Sequence, residues 1–341
     1  MPALPFALAV VSAIVLTPLV AHFARVAGYL DHPEPRKFHT SSTALLGGLS
    51  IFVATLATLL LSTFGRGRGM DGTVPYVLAG ALVVLLLGLW DDRFGMHPLV
   101  KLIGQVSAAG ILLASGAVPD LHLGPVANVA LSLVVLVALM NAINFLDNMN
   151  GMVAGLAAIA LLGFAYESFT RGATEVAAGQ LALAGACIGF LPYNFPRARI
   201  FLGDAGSLLL GYSLGVSAVL AFHAGPPGWG QLGPALALAY PAFDMIFVVV
   251  TRLRDGRKLY IGGRDHTNHR LASVLKCPKK AVMLLWLSGA ALSASGLVVQ
   301  KLDRATSALL LVSLWSALLL ATGIRLSSVP IEPNPTRPSK S

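Results

Sequence analysis

Residues 126–151 read VANVALSLVVLVALMNAINFLDNMNG. Residues 126–143 are apolar almost all the way round, with no solvated face recurring at helical spacing. That pattern marks a helix surrounded by apolar material rather than one lying on the surface of a soluble domain. About 20 apolar residues carry a helix across the hydrocarbon core of a bilayer. The run then closes on five polar side chains, Asn141, Asn144, Asp147, Asn148 and Asn150. An apolar span that ends abruptly in a polar turn is the unit from which the rest of the chain is built.

The pattern recurs along the chain. Of its 341 residues 56% are hydrophobic and 11% charged, with a mean hydropathy of +0.76. Soluble domains carry about 25% charged residues, so the composition predicts an all-α, polytopic transmembrane bundle. Eleven spans are expected, at 4–24, 44–63, 75–90, 99–116, 126–143, 151–168, 174–192, 205–222, 232–251, 281–299 and 305–323. The spans near 75 and 99 carry the weakest signal, one being short and the other interrupted by Gly, Ser and Gln. Residues 1–325 read as one transmembrane domain, and 326–341 as a disordered cytoplasmic tail. The first apolar run, Leu4 to Ala21, is long enough to span and is followed by a basic loop, so it reads as a helix rather than a cleaved signal. Cys187 lies within an apolar run and Cys277 in a basic loop, which argues against a disulfide.

The formal charge of +9 does not point to nucleic acid, because positive charge in such a chain reports topology. One set of loops comprises 22–43, 91–101, 144–150, 193–204, 252–280 and the C-terminal tail, and carries nineteen of the 24 Lys and Arg residues. The alternate loops carry Arg66, Arg68, Arg171, Lys301 and Arg304. The positive-inside bias assigns the first set to the cytoplasm, with the N-terminus outside and the C-terminus inside.

Every polar cluster of chemical interest falls in that cytoplasmic set. Asp91 and Asp92 follow the run ending at Trp90. Adjacent carboxylates repel unless a cation offsets them, and Lys101 is placed to do so. The pair suits proton abstraction or divalent-metal binding; equally, it reads as a solvated cap on a loop. Asn141, Asn144 and Asp147 are spaced by three, which puts them on one helical face. Their amides could read a base edge or ligate a hard cation, or simply cap a helix end. In Phe201-Leu-Gly203-Asp204-Ala-Gly206-Ser207, Asp204 opens a helix whose N-terminus favours anions. It could hold Mg²⁺ against a diphosphate or act as an N-cap.

The basic stretch after Val250 contains Arg252, Arg254, Arg257 and Lys258, then Arg264-Asp265-His266-Thr267-Asn268-His269-Arg270. Its Arg, His and Asn side chains suit phosphate and sugar hydroxyls. A zinc site at His266 and His269 lacks further ligands nearby. Lys37, in a basic segment leading to Gly47-Gly48, could contact phosphate or serve topology alone. His22, His97, His122 and His223 read as interfacial residues.

In order and on one face, GLWDDRFGMHPLVKLIGQ, NAINFLDNMNGM, FLGDAGS and DHTNHRL resemble the motifs of the polyprenyl-phosphate N-acetylhexosamine-1-phosphate transferases. The resemblance covers nearly the whole chain. DHTNHRL is similar to the HxxHRL loop of the GlcNAc-1-phosphate branch, and lacks the three consecutive histidines of the phospho-MurNAc-pentapeptide branch. Two positions depart from the family's DGxDG: Asn148 stands for a glycine and Asn150 for an aspartate near the uracil. The segment before Gly47 also lacks an expected proline.

The resemblance implies a UDP-sugar donor, undecaprenyl phosphate as acceptor and Mg²⁺, with Mn²⁺ as an alternative, at the cytoplasmic membrane of a bacterium. It implies Asp204 as the leading metal ligand with Asn144 assisting, and Asp91, Asp92, Lys101 and Asp147 as the catalytic group. Lys37, Asn141 and Asn150 would bind nucleotide, and Arg264, His266 and His269 the diphosphate and sugar. A homodimer is compatible with it. Two other classes stay open: a cation-coupled transporter, against which the one-sided clustering and lack of a repeat argue, and a lipid-binding member without activity, suggested by Asn150.

Overall fold

The computed structural model describes residues 3–31, 42–64, 72–224, 231–258, 263–302 and 305–330. Thirteen helices lie among them: α1 Ala3–Val26, α2 Gly47–Phe64, α3 Val74–Phe94, α4 Pro98–Leu113, α5 Pro125–Leu146, α6 Met152–Thr170, α7 Thr174–Asn194, α8 Gly203–Ala224, α9 Leu232–Ala237, α10 Ala239–Arg254, α11 Thr267–Leu275, α12 Pro278–Val299 and α13 Ala305–Ser327. Each of the eleven expected spans coincides with one of these helices, except the ninth, which is divided between α9 and α10. Eight are long and apolar enough to cross a membrane, while Gly47–Ser62 and Pro98–Leu113 are apolar but shorter. The chain is therefore an all-α, polytopic membrane protein.

The ninth span breaks at Leu238 because Pro241 cannot donate to the carbonyl four residues back and its ring crowds that carbonyl. Pro18 and Pro192 lie inside α1 and α7, which run on unbroken. The polar stretch expected to be loop over 252–280 contains α11, a nine-residue helix.

Helix α8 is the centre of the bundle, packed against α2, α3, α5 and α6. It is the most buried span, followed by α6, whereas α13 is almost wholly peripheral. Without a hydrophobic force between helices in lipid, close association rests on small residues that let backbones approach. A Cβ at Gly48 would lie 2.2 Å from the Gly206 nitrogen, and one at Gly88 2.3 Å from the Ala205 Cα. Both contacts are at the start of α8, so the helix end carrying Asp204 is clamped between α2 and α3.

Beside this junction Leu30–Asp31 pairs antiparallel with Thr43–Ala44. Ala44 also bridges to Ile200 in parallel. The amides of Gly47 and Gly48 donate to the carbonyls of Phe201 and Leu202, both at 2.9 Å. The Gly-Gly pair thus joins α2 to the segment before α8, and its amides are not free for phosphate. Lys37 lies outside the described residues.

Candidate active site

The C-terminal ends of α3 and α5 meet the N-terminal ends of α4 and α8 at one end of the bundle, bringing Asp91, Asp92, Lys101, Asn144, Asp204 and Ser207 together. Lys101 is the hub. Its Nζ lies 2.8 Å from Asp91 Oδ2 and 3.3 Å from Asp204 Oδ2, and donates to Asn144 Oδ1 at 3.3 Å. The Asn144 amide nitrogen donates to Asp204 Oδ1, and to Ser207 Oγ at 2.8 Å. Asp91 and Lys101 are mostly buried, whereas the Asp204 side chain is 35% exposed. Of the two aspartates held by Lys101, Asp204 is the one open to a ligand.

The adjacent aspartates have separate roles. Asp92 Oδ1 accepts from the Asp204 amide at 2.8 Å and Oδ2 from the Ala205 amide at 3.1 Å. These are among the first backbone donors of α8, which no intrahelical carbonyl can satisfy. Asp92 therefore caps α8 from α3. Gly203, at φ +75°, permits the approach: a Cβ there would lie 2.6 Å from Asp92 Oδ2. Asp92 thereby holds Asp204 in place, whatever further part it takes in the chemistry expected of it.

Asn141 is also engaged within the bundle. Its amide nitrogen donates to Gln105 Oε1 at 2.8 Å and to the Val137 carbonyl at 2.8 Å, while Gln105 returns a bond to Asn141 Oδ1 at 3.4 Å. This reciprocal amide pair ties α4 to α5. Gln105 had looked like an interruption of an apolar span, yet it is 1% exposed and satisfied.

Asp147 is the C-cap residue of α5, beyond the last helical turn. Burial, then the charges of Asp204 and Asp92, push its carboxyl up to about 8. Next to it, Gly151 (φ +74°) opens α6, and its amide donates to Asn194 Oδ1 at 2.7 Å. Asn194 also donates to the Ile200 carbonyl at 2.9 Å, so one buried amide holds both the 147–151 turn and the approach to α8.

The two asparagines that depart from the family pattern are both engaged. Asn148 Oδ1 accepts from Asn268 Nδ2 at 2.7 Å, and its nitrogen donates to the Phe145 carbonyl at 2.9 Å. Asn150 Nδ2 donates to the Pro196 carbonyl at 3.2 Å. The Asn148–Asn268 bond joins the polar turn to the start of α11.

At α11, Asp265 is fully buried and takes a bidentate bond from Arg252, Nε to Oδ2 and Nη2 to Oδ1, both at 2.8 Å. Arg257 Nη1 adds a contact at 2.8 Å. Burial alone would raise the Asp265 carboxyl, but the two guanidinium groups hold it down at about 2. Arg270 donates from Nη1 to the carbonyls of Leu326, Ser327 and Val329 at 3.1, 3.2 and 2.7 Å. It therefore fastens α11 to the end of α13, and the first residues of the expected tail are packed. Arg264 is half-buried at the start of this segment. The His266 and His269 rings stand edge-on with centroids 6.3 Å apart. Burial, then His266 and Arg264, hold the His269 ring down at about 4, so it is neutral at physiological pH.

The donor set fits a hard divalent cation. Oxygen from Asp204, with Asn144 and Ser207 beside it, matches Mg²⁺, which takes one or two carboxylates and completes its shell with water and substrate phosphates. Among the described residues no group of three His, Cys, Asp or Glu side chains could hold a metal by itself, so substrate oxygens would have to share the site.

Fold and site together define a polytopic helical membrane protein with a carboxylate, lysine and amide centre at one end of its bundle. Residues 74–222 match the family described as Glycosyl transferase family 4. The chain is 31% identical to a decaprenyl-phosphate N-acetylglucosaminephosphotransferase of Mycolicibacterium smegmatis, over 84% of this chain and 80% of that protein. A protein of the same name from Mycobacterium leprae is 31% identical, over 80% of this chain and 77% of its own length. An undecaprenyl-phosphate alpha-N-acetylglucosaminyl 1-phosphate transferase of Thermotoga maritima is 30% identical, over 74% of this chain and 76% of its own. The chain belongs to glycosyl transferase family 4.

Proposed function

We propose that this chain transfers GlcNAc-1-phosphate from UDP-GlcNAc to undecaprenyl phosphate, releasing UMP, at the cytoplasmic face of a bacterial inner membrane. The observation that carries the reading is the Asp91–Lys101–Asp204–Asn144 cluster at one end of the bundle, in a chain whose relatives are named for this transfer to polyprenyl phosphates.

An oxygen of the acceptor phosphate attacks the β-phosphorus of the donor. A new P–O bond forms, the bond from that phosphorus to the bridging oxygen breaks, and UMP leaves with the bridging oxygen. Such transfers need positioning and stabilisation of charge on phosphoryl oxygens more than covalent chemistry. Mg²⁺, with Mn²⁺ as an alternative, would be held by Asp204 with Asn144 and would supply that stabilisation. Asp91 positions the acceptor phosphate or takes its proton, and Lys101 offsets the carboxylates. Asp147 stands beside the metal-holding residues, within reach of the charges of Asp204 and Asp92. Asn150 spends its nitrogen on Pro196 and keeps its oxygen for uracil N3–H, so base recognition does not require the family's aspartate. Arg264, His266 and His269 bind the diphosphate and sugar.

Eleven spans, with the N-terminus outside and the C-terminus inside, accompany this reading. Support comes from the eleven apolar segments, ten coincident with a single helix and the ninth divided between α9 and α10, and from the nineteen of 24 basic residues in one alternate set of loops. Cysteine labelling from either side tests the topology.

The activity is tested with purified protein, undecaprenyl phosphate, Mg²⁺ and a panel of UDP-sugars. A lipid-linked GlcNAc diphosphate, formed from UDP-GlcNAc only when a divalent cation is present, is the expected product. Turnover by D204N equal to that of the parent would overturn the metal assignment.

A further inference from the structure

The ninth expected span contains a carboxylate that no motif announces. Asp244 lies in Ala239-Tyr-Pro-Ala-Phe-Asp-Met-Ile-Phe-Val-Val-Val on α10 and is 1% exposed. Removing a charge from water costs several kcal/mol unless close partners compensate, and an apolar residue would fill that place without the cost. Among the described residues, the partners of Asp244 are the N-cap and the first residue of α11. Oδ2 lies 2.7 Å from His266 Nδ1, and Oδ1 accepts from the Thr267 amide at 2.8 Å and from Thr267 Oγ1 at 2.6 Å. Thr267 Oγ1 spends its proton on Asp244, so it accepts from Tyr240 Oη at 3.0 Å. The N-cap residue of α11 is His266, whose side chain makes no capping bond to its own helix. Asp244 caps the helix from α10 instead, and holds the imidazole with its other oxygen.

We propose that Asp244 is a positioning residue of the transfer site: it fixes His266 through Nδ1 and so presents Nε2 to the diphosphate or sugar of the donor. An ionised carboxylate only accepts hydrogen bonds, so the proton on the His266 Nδ1 edge belongs to the ring. The nitrogen not used by the carboxylate is then the one available to substrate, as when an outer partner selects a histidine tautomer. Two other charged groups at α11 serve other contacts. Asp265 is taken by Arg252 and Arg257, and Arg270 by the end of α13. The His266 ring is tied to the rest of the site through its own helix, whose Asn268 bonds Asn148 in the turn after Asp147. This inference rests on the transferase reading for its functional consequence, but the ring geometry stands apart from it.

The test is D244N. With the Thr267 amide and hydroxyl both requiring an acceptor, the new amide must turn its NH₂ toward His266. Nδ1 then has to accept, and the ring proton moves to Nε2. UMP release per enzyme is expected to fall about 10- to 100-fold, with D244E restoring part of it. D244N should add nothing in an H266Q background, because a residue that acts through another is not additive with it. In full-length protein labelled with ¹⁵N-histidine, the ring signal lost in H266Q should show protonation at Nδ1 in the parent and at Nε2 in D244N. Parental turnover in D244N, additive losses in the double variant, or a parent ring protonated at Nε2 alone would each overturn the proposal. Should D244N fold poorly, the parent spectrum still decides. If the parent released no UMP from any UDP-sugar, the transferase reading would fail while the tautomer measurement kept its own answer.

Discussion

Replacing Asp92 with asparagine separates architecture from chemistry in the aspartate pair. The carboxylate accepts two backbone bonds, from Asp204 at 2.8 Å and Ala205 at 3.1 Å. Hydrogen bonds to a charged partner contribute about 1.5–3 kcal/mol each. An asparagine can accept only one of them, in weaker neutral form, and its NH₂ confronts the second amide. The loss is about 3 kcal/mol. In a chain of this size one kcal/mol corresponds to about 2 °C in Tm, so D92N should melt about 6 °C lower in detergent. D91N removes a side chain bonded to Lys101 rather than to the backbone of α8. It should melt closer to the parent than D92N does, because Lys101 keeps Asp204 as a partner, while losing nearly all turnover. Differential scanning fluorimetry beside UMP release reads both effects. A D92N protein with parental Tm, or two variants with the same Tm and the same turnover, would refute the division of labour.

Lys101→Met leaves Asp91 and Asp204 facing one another without their shared cation, and turnover should fall about 10²- to 10³-fold; a variant keeping a third of parental turnover would contradict the hub role. The folded His269 ring stays neutral down to about 4, whereas an unfolded histidine takes a proton near 6.5. The unfolded chain therefore binds more protons between those values, and Tm should fall as pH drops through that window, a slope that H269Q should flatten. Asp265, held at about 2, keeps its contribution above the ordinary carboxylate range and loses it only as pH falls from about 4 to about 2, below the histidine window. Truncation after Arg325 removes the Leu326, Ser327 and Val329 carbonyls that hold Arg270. Proteolysis within 252–280 should accelerate and UMP release should drop, and an unchanged cleavage pattern would show that the clasp is dispensable.

What could be read ahead of the structure follows from how local the signal is. The eleven apolar runs needed only composition and length, and each lies on helix. Asp91, Lys101, Asn144 and Asp204 stood out because polar groups at span ends are costly without a purpose, and the fold brings all four together. Asp92 was indistinguishable from Asp91 by sequence, since the difference lies in α8 backbone donors 112 residues away. Asn141 shared a helical face with Asn144 but met Gln105, whose partner no spacing rule supplies. Asp244 and Asn194 lie in or beside apolar runs, and their roles depend on elements distant in the chain. Helix α11 was hidden because DHTNHRLASVL is short and polar, and its N-terminus is capped by Asp244 on another helix. Pro241 marks a break that Pro18 and Pro192 do not, so proline alone could not locate the division between α9 and α10.

The most direct test of the account follows the β-phosphorus of the donor. UDP-GlcNAc labelled with ³²P at that position, given with undecaprenyl phosphate and Mg²⁺, should pass its label to the lipid and leave unlabelled UMP in solution. Label remaining in released UDP would mean that the sugar alone moves and that attack is not at phosphorus, contradicting the assignment of the Asp91–Lys101–Asp204 centre to phosphoryl transfer.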